Sequence, residues 1–277
     1  MSAVRVALFQ AQSGIEPAAN ADRLVAAVRE AAAGGAAMLF TPEMSGMLDQ
    51  DRARALRSAR SEEDDIVLRA VRDAAAEAGM WVHLGSLAVL VDDGKVANRG
   101  LVIDASGNVR ARYDKIHLFD VDLPTGESWR ESAVYRPGEG AVVVNGTPVG
   151  KLGLTICYDL RFPTLFARIA EADADVIAVP AAFTVPTGRA HWHVLLRARA
   201  IEAAVFVVAA AQVGRHEDGR QTFGHSLVVD PWGEVLLDMS EEPGVGIAGI
   251  DLARIVDVRS RIPALNHRRP IAEAVTL

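Results

Sequence analysis

The sequence predicts an α/β fold in which two similar sheets pack together. Three observations carry this. Apolar runs of strand length alternate with segments of helical period in the order β-α-β-α-β. The second half echoes the first: Val4–Gln12, a helix and Met38–Pro42 resemble Val149–Cys157, a helix and Val176–Pro180, and both second strands end in Pro. The chain has 277 residues, 50% of them hydrophobic, and no Gly-Ser or Pro-rich linker divides it. It can therefore bury one large core, and a single domain over 1–277 is expected.

Taken in order, Val4 to Gln12 reads as a buried strand. Asn20 then caps a helix through Leu24, Ala27, Val28 and Ala31, which Gly34-Gly35 ends. Ala36 to Phe40 is a short strand closed by Thr41-Pro42-Glu43, and Arg52 to Arg60 is either helix or loop. Glu62 to Ala78 reads as a helix with acids in its first turn and Gly79 at its C-terminal end. Trp81–Leu84, Leu87–Val91, Val96–Ile103 and Val109–Tyr113 read as strands, with Asp92-Asp93-Gly94 and Ser106-Gly107-Asn108 as turns. Asp114 to Gly140 is long, polar and irregular, and a loop of that length in a compact domain is usually functional or disordered. Two strands flank Gly146 before Cys157, and a helix runs on to about Ala172. Val176–Val179, Val205–Gln212, Leu227–Val229, Glu234–Leu237 and Val245–Ile250 are strands. Trp192–Glu202 and Leu252–Arg261 are helices, and Asp230-Pro231-Trp232-Gly233 is a turn.

Composition excludes several classes. A net charge of −7 favours solubility and argues against a nucleic-acid partner. One cysteine allows no internal disulfide, which fits a reducing compartment. No signal-peptide pattern opens the chain and no apolar run suits a bilayer, so a cytoplasmic protein without a membrane partner is expected. His191 and His193 lack metal-ligand spacing, and Gly150-Lys151-Leu152-Gly153 lacks that of a phosphate loop, so no cofactor is expected.

Read singly, the polar candidates stay ambiguous. Cys157 ends the strand Lys151–Ile156, and Pro163 opens the helix after it. At such a turn a thiol is held by the strand and faces backbone N–H groups, yet it could equally be a small buried hydrophobe. Glu43 is either its base or a solvated loop acid. Lys115 is either a cation for an oxyanion or a surface lysine. Glu127 and Glu131 lie in the long loop after it.

The set resolves what each residue leaves open. Thr41-Pro42-Glu43, Tyr113-Asp114-Lys115-Ile116-His117-Leu118 and Ile156-Cys157-Tyr158-Asp159-Leu160-Arg161-Phe162-Pro163, in that order and spacing, resemble the Glu-Lys-Cys triad of the nitrilase (carbon–nitrogen hydrolase) superfamily. The resemblance covers nearly the whole chain. It implies a four-layer α-β-β-α sandwich and homodimers or higher homo-oligomers. Gly188-Arg189-Ala190-His191-Trp192, Arg197–Glu202, Gly214-Arg215-His216 and Gly224–Gly233 resemble the Nit branch, and Gly-Arg-His points to deaminated-glutathione amidases over ω-amidases.

The resemblance implies roles. Glu43 would be the general base, Cys157 the nucleophile, and Lys115 with the Tyr158 N–H the oxyanion site. Glu131 would be a second acid, with Glu127 as fallback. Arg161 would bind the carboxylate of a small 2-oxo-acid amide, with Phe183 and Thr184 lining the pocket. Alternatively, Arg161 pairs with Asp159. Thr164 stands where Glu is common and Arg189 where Pro is common, which leaves substrate detail open. A true nitrilase usually follows its Cys with Trp-Glu, whereas here Tyr158-Asp159 follows. The other readings are an ω-amidase acting on 2-oxoglutaramate, another small-amide or N-carbamoyl hydrolase, and a binding protein on a dead hydrolase fold.

Overall fold

The computed structural model describes residues 3–91, 94–122, 126 and 128–276. Glu127 and most of the Asp92-Asp93-Gly94 turn lie outside the described residues. The first half runs β1 (Val4–Gln10), α1 (Pro17–Ala33), β2 (Met38–Phe40), α2 (Arg52–Ser58), α3 (Ile66–Ala78), β3 (Trp81–Leu90), β4 (Val96–Ile103) and β5 (Val109–Asp114). A small hairpin follows, β6 (Asp120–Asp122) and β7 (Ser128–Arg130). The second half runs β8 (Val142–Thr147), β9 (Gly150–Leu154), a 3-10 turn Cys157–Arg161, α4 (Pro163–Glu171), β10 (Val176–Ala178), α5 (Val185–Ala203) and β11 (Phe206–Ala209). Then come a hairpin of β12 (Val213–Arg215) and β13 (Gln221–Phe223), and β14 (Leu227–Val229), β15 (Val235–Asp238), β16 (Gly244–Ile250) and α6 (Ala253–Arg261).

Two six-stranded sheets result, ordered β16-β1-β2-β3-β4-β5 and β15-β14-β11-β10-β9-β8. In each, three central strands are parallel (β1, β2, β3 and β9, β10, β11) and are flanked by antiparallel partners. The echo in the sequence is thus a repeated sheet topology, with β1 corresponding to β9 and β2 to β10. Glu43 follows β2 and Cys157 follows β9, so they end non-equivalent strands of the two sheets.

Strand alternation sorts side chains into layers. Ala7, Leu39, Val82 and Leu101 pack with Leu24 and Val28 of α1 and Val67 and Val71 of α3. The alternate residues Val6, Leu8, Met38 and Phe40 join Leu152, Leu154, Val176 and Phe206 of the second sheet, in a cluster that continues to Ile169 of α4 and Leu196 of α5. The layers are therefore α-β-β-α. No helix among the described residues is long and apolar enough to cross a membrane.

Three helix starts differ from expectation. Helix α1 opens at Pro17, whose ring suits the first turn. Asn20 is buried inside the helix, where it bonds Gly14 N, Gly14 O and Gly46 O at 2.9 Å each. Helix α3 begins at Ile66 under an Asp65 cap, with Asp65 accepting from Leu68 N at 2.8 Å. Of the acids placed in its first turn, Glu62 instead pairs with Arg99 and Arg112. Helix α5 starts at Val185 and carries Gly188 inside, where a Cβ would sit 2.3 Å from Phe223 Cγ.

Candidate active site

Cys157 opens the 3-10 turn between β9 and α4 with φ +48°, a left-handed conformation costly for a residue with a Cβ. Two ties hold it there. The Cys157 N–H donates to Pro180 O at 2.8 Å, anchoring the turn to the segment after β10. Asp159, fully buried, accepts from Ile156 N at 2.9 Å, Tyr113 Oη at 2.6 Å and His117 N at 3.1 Å, and pairs with His117 Nδ1 at 2.7 Å. A strand-to-helix turn of this sharpness presents a nucleophile at its tip. Asp159 is therefore committed to the turn and does not pair with Arg161.

Glu43 reaches the thiol from the other sheet. Its turn is fixed by a close approach at Gly85, where a Cβ would lie 2.0 Å from Thr41 O and 2.6 Å from Pro180 Cβ. The strand predicted in two pieces is one strand, β3, and its register shifts between Leu84 and Leu87, around Gly85. Gln212 Nε2 donates to Glu43 O at 2.9 Å and holds the backbone. The carboxylate Oε1 accepts from Lys115 Nζ and Asn98 Nδ2, both at 2.9 Å, and Oε2 from Ala182 N at 2.9 Å. Lys115 also donates to Glu131 Oε2 at 2.9 Å and Oε1 at 3.1 Å. Glu131 is fixed in turn by Phe119 N at 2.6 Å and Asn98 Nδ2 at 3.1 Å.

These contacts set the protonation states. Burial raises the Glu43 carboxyl, but the Lys115 charge and hydrogen bonds from Lys115, Cys157 and Asn98 outweigh it and leave it below the usual range. Burial lowers Lys115, and the charges of Glu131 and Glu43 more than reverse that. Burial and the Glu43 carboxylate push the Cys157 thiol well up. The resting site is thus a neutral thiol and an ionised carboxylate, beside an ammonium shared by two acids. Two acids against one cation are close to charge balance, which limits the cost of burying them.

The cluster opens on a pocket. Glu43, Lys115, Glu131 and Cys157 line its floor with Ala182. Tyr158, Arg161, Phe183 and Thr184 also line it. Arg161 Cζ lies 5.3 Å from the Phe183 ring centroid, and Nη1 lies 3.2 Å from His191 Nδ1. No carboxylate among the described residues pairs with Arg161. Thr164 and Arg189 are exposed and lie outside the pocket lining, as does Arg215.

Sequence reasoning missed Asn98, the donor shared by both acids. Its only signal was a polar residue in the apolar strand Val96–Ile103. It also missed Gln212, buried at the end of a predicted strand, and Trp129 and Arg220, which line the pocket from hairpins β6–β7 and β12–β13. His216 secures the second hairpin by bonding Ser13 O at 2.9 Å and Thr222 Oγ1 at 2.7 Å, which accounts physically for the Gly-Arg-His element. Three groups with no metal spacing in the sequence do meet. Asp238 pairs with His193 at 3.0 Å and His225 at 2.9 Å, so the trio is satisfied without an ion.

The sequence pattern of the family described as carbon-nitrogen hydrolase matches residues 5–260. The chain is 38% identical over 278 residues to the deaminated glutathione amidase of Yersinia enterocolitica, covering 99% of this chain and 96% of that one. It is 40% identical over 269 residues to that of Homo sapiens, covering 96% and 82%. Among solved structures it superposes on the C. elegans NitFhit protein with TM-score 0.89 at 36% identity, covering 97% of this chain and 66% of NitFhit, just under two thirds of its length. With the sandwich fold and a full-length sequence match agreeing, the chain belongs to the carbon-nitrogen hydrolase (nitrilase) superfamily and is an amidase within it.

Proposed function

We propose that the protein hydrolyses the amide of deaminated glutathione to 2-oxoglutarate and cysteinylglycine, through a thioester on Cys157. The observation that carries this is a buried Glu43 carboxylate held ionised by Lys115 Nζ at 2.9 Å, lining the same pocket as the Cys157 thiol.

Cys157 Sγ attacks the amide carbonyl carbon as its proton passes to Glu43. The tetrahedral oxyanion is stabilised by Lys115 Nζ and the Tyr158 N–H; one Lys115 contact to Glu131 gives way to reach it. Glu43 hands the proton to the leaving nitrogen, the C–N bond breaks, and the thioester remains. Glu43 then takes a proton from water as it adds, and returns one to the departing thiolate. Glu131 keeps Lys115 oriented and charged. Arg161, free of any carboxylate, receives the 2-oxo-acid carboxylate against Phe183.

The relatives' named activity supports this substrate, as does Arg161, which no carboxylate among the described residues pairs. Turnover measured side by side on deaminated glutathione, 2-oxoglutaramate, simple aliphatic amides and N-carbamoyl amino acids tests it. Deaminated glutathione should give the highest kcat/KM. A higher value for 2-oxoglutaramate would make the protein an ω-amidase.

We propose that the functional unit is a homodimer or higher homo-oligomer. Val194 and Ile201 of α5, Val256 of α6, and Leu236 of β15 are exposed apolar groups that support association.

A further inference from the structure

We infer that Arg220 and the indole N–H of Trp129 form a second carboxylate subsite in the pocket, which receives the carboxylate on the leaving-group side of the scissile amide. This deepens the proposed function and rests on it.

The observations are two unpaired donors in one place. Arg220 Nε is buried and has no hydrogen-bond partner. It forms only a long ion pair with Asp218 Oδ2, at 3.6 Å and beyond hydrogen-bonding range. The terminal guanidinium nitrogens make no hydrogen bond among the described residues. Trp129 Nε1 is likewise buried without an acceptor. Arg220 Cζ lies 4.6 Å from the Trp129 ring centroid, and both side chains line the pocket. Burial pulls the Arg220 guanidinium below its usual range, because the Asp218, Glu43 and Tyr135 groups compensate it only in part. A half-buried guanidinium held only by that long ion pair and a buried N–H without an acceptor each cost free energy, so together they favour an anion between them. Stacking on an indole leaves the edge of the guanidinium free for a planar carboxylate. Both hairpins that supply the donors are tied to other elements, β12–β13 through His216 to Ser13 O at 2.9 Å and β6–β7 through Arg52 Nη2 to Arg130 O at 3.2 Å, so the subsite is formed in advance of ligand.

Assignment to the leaving-group side follows from the other arginine. Arg161 belongs to the turn of Cys157 itself and touches Phe183 and His191, whereas Arg220 comes from a different wall and shares no contact with it. A substrate with a single carboxylate satisfies one of the two. Deaminated glutathione carries one at each end, with the glycine carboxylate on the departing dipeptide. 2-Oxoglutaramate, which releases ammonia, has none there. Arg220 is thus the residue that separates a peptide-amide hydrolase from an ω-amidase on the same triad.

The test compares kcat/KM on deaminated glutathione and on its C-terminal carboxamide, for wild type, Arg220→Met, Arg220→Lys and Trp129→Phe. Wild type should favour the acid by about 10- to 100-fold, the range of a charge-assisted contact. Arg220→Met should bring that ratio towards one, mostly through KM. Arg220→Lys should recover part of it, and Trp129→Phe, which keeps the ring, should lower it severalfold. A wild-type ratio near one, or equal losses on both substrates in Arg220→Met, overturns the subsite. A second readout does not need turnover. S-Methylcysteinylglycine, whose blocked thiol does not consume the reagent, should slow alkylation of Cys157 by iodoacetamide in wild type, its carboxamide should not, and neither should do so in Arg220→Met. Protection without turnover would keep the subsite and reject the proposed substrate. Equal behaviour of dipeptide and carboxamide would reject the subsite.

Discussion

Lys115 Nζ lies 2.9 Å from Glu43 Oε1, and both side chains are shut away from solvent. Each keeps the other charged: the ammonium holds the carboxyl ionised against burial, and the carboxylate holds the ammonium. Neither can be removed without changing the other's protonation, so they act as one unit with Cys157. Glu43→Gln and Lys115→Ala should each lower kcat by several orders of magnitude, and the double variant by little more. Losses from residues that act together do not add. Single-variant losses under about tenfold, where a general base typically gives roughly 10²–10⁴-fold, would remove Glu43 from the role.

Asn98 donates through one amide nitrogen to both Glu43 and Glu131. Asn98→Ala takes a donor from two buried carboxylates, each contact worth about 1.5–3 kcal/mol. The expected loss in kcat/KM is about 10- to 100-fold. Removing a hydrogen bond to the ionised form raises a carboxyl pKa, so the acid limb of the pH profile should move to higher pH. A loss in rate with an unmoved acid limb would make Asn98 purely structural.

Arg161 stands against Phe183 with no acid partner, and Asp159 is taken up by Tyr113, His117 and Ile156. Arg161→Ala should therefore weaken kcat/KM by about 10- to 100-fold on a 2-oxo-acid amide. It should do much less to a neutral amide of similar size. Arg161→Lys should restore part of the loss, since a point charge cannot supply the fork. Equal losses on the two substrates would place the carboxylate elsewhere.

The titrations of the cluster give a pH window for stability. Glu43 is lowered from 4.5, so its contribution is present above that value and is lost as pH falls through the lower folded pKa. Lys115 is raised above 10.5 and Cys157 above 9.0, so their contributions are full below those values and fade as pH rises through the folded ones. Tm should be flat between about pH 5 and pH 9 in its dependence on this cluster and fall outside. In Glu43→Gln the acid-side slope should be shallower. An unchanged acid-side slope in that variant would show that the native carboxyl is not lowered.

Much of this was legible in the sequence, for physical reasons. The parallel strands were readable because buried strands are continuous apolar runs bounded by Pro and Gly, as at Met38–Phe40 and Val176–Ala178. Glu43 and Cys157 follow such runs while Lys115 follows the polar strand Val109–Asp114, and the three were picked out together by their resemblance, in order and spacing, to the triad of the superfamily. Helix starts were harder. Pro17 opens α1 and Pro186 stands in the first turn of α5, and the sequence offered Asn20 and Trp192 as more conspicuous starting points. Asn98 and Arg220 were hidden because their meaning lies in contacts across the fold: Asn98 meets acids from two distant loops, and Arg220 meets Trp129 from another hairpin. A single sequence does not show which polar residues end up buried without a partner.

The central claim is that Cys157 forms a covalent acyl-enzyme whose acyl group is the 2-oxo-acid half of the substrate. Intact-mass analysis of enzyme quenched during turnover of deaminated glutathione tests it most directly. The account predicts a transient species heavier by one 2-oxoglutaryl group less a hydrogen, mapped to the peptide carrying Cys157 and absent from a folded, inactive Cys157→Ala variant. Turnover by Cys157→Ala, or an adduct carrying the cysteinylglycine half instead, would contradict it.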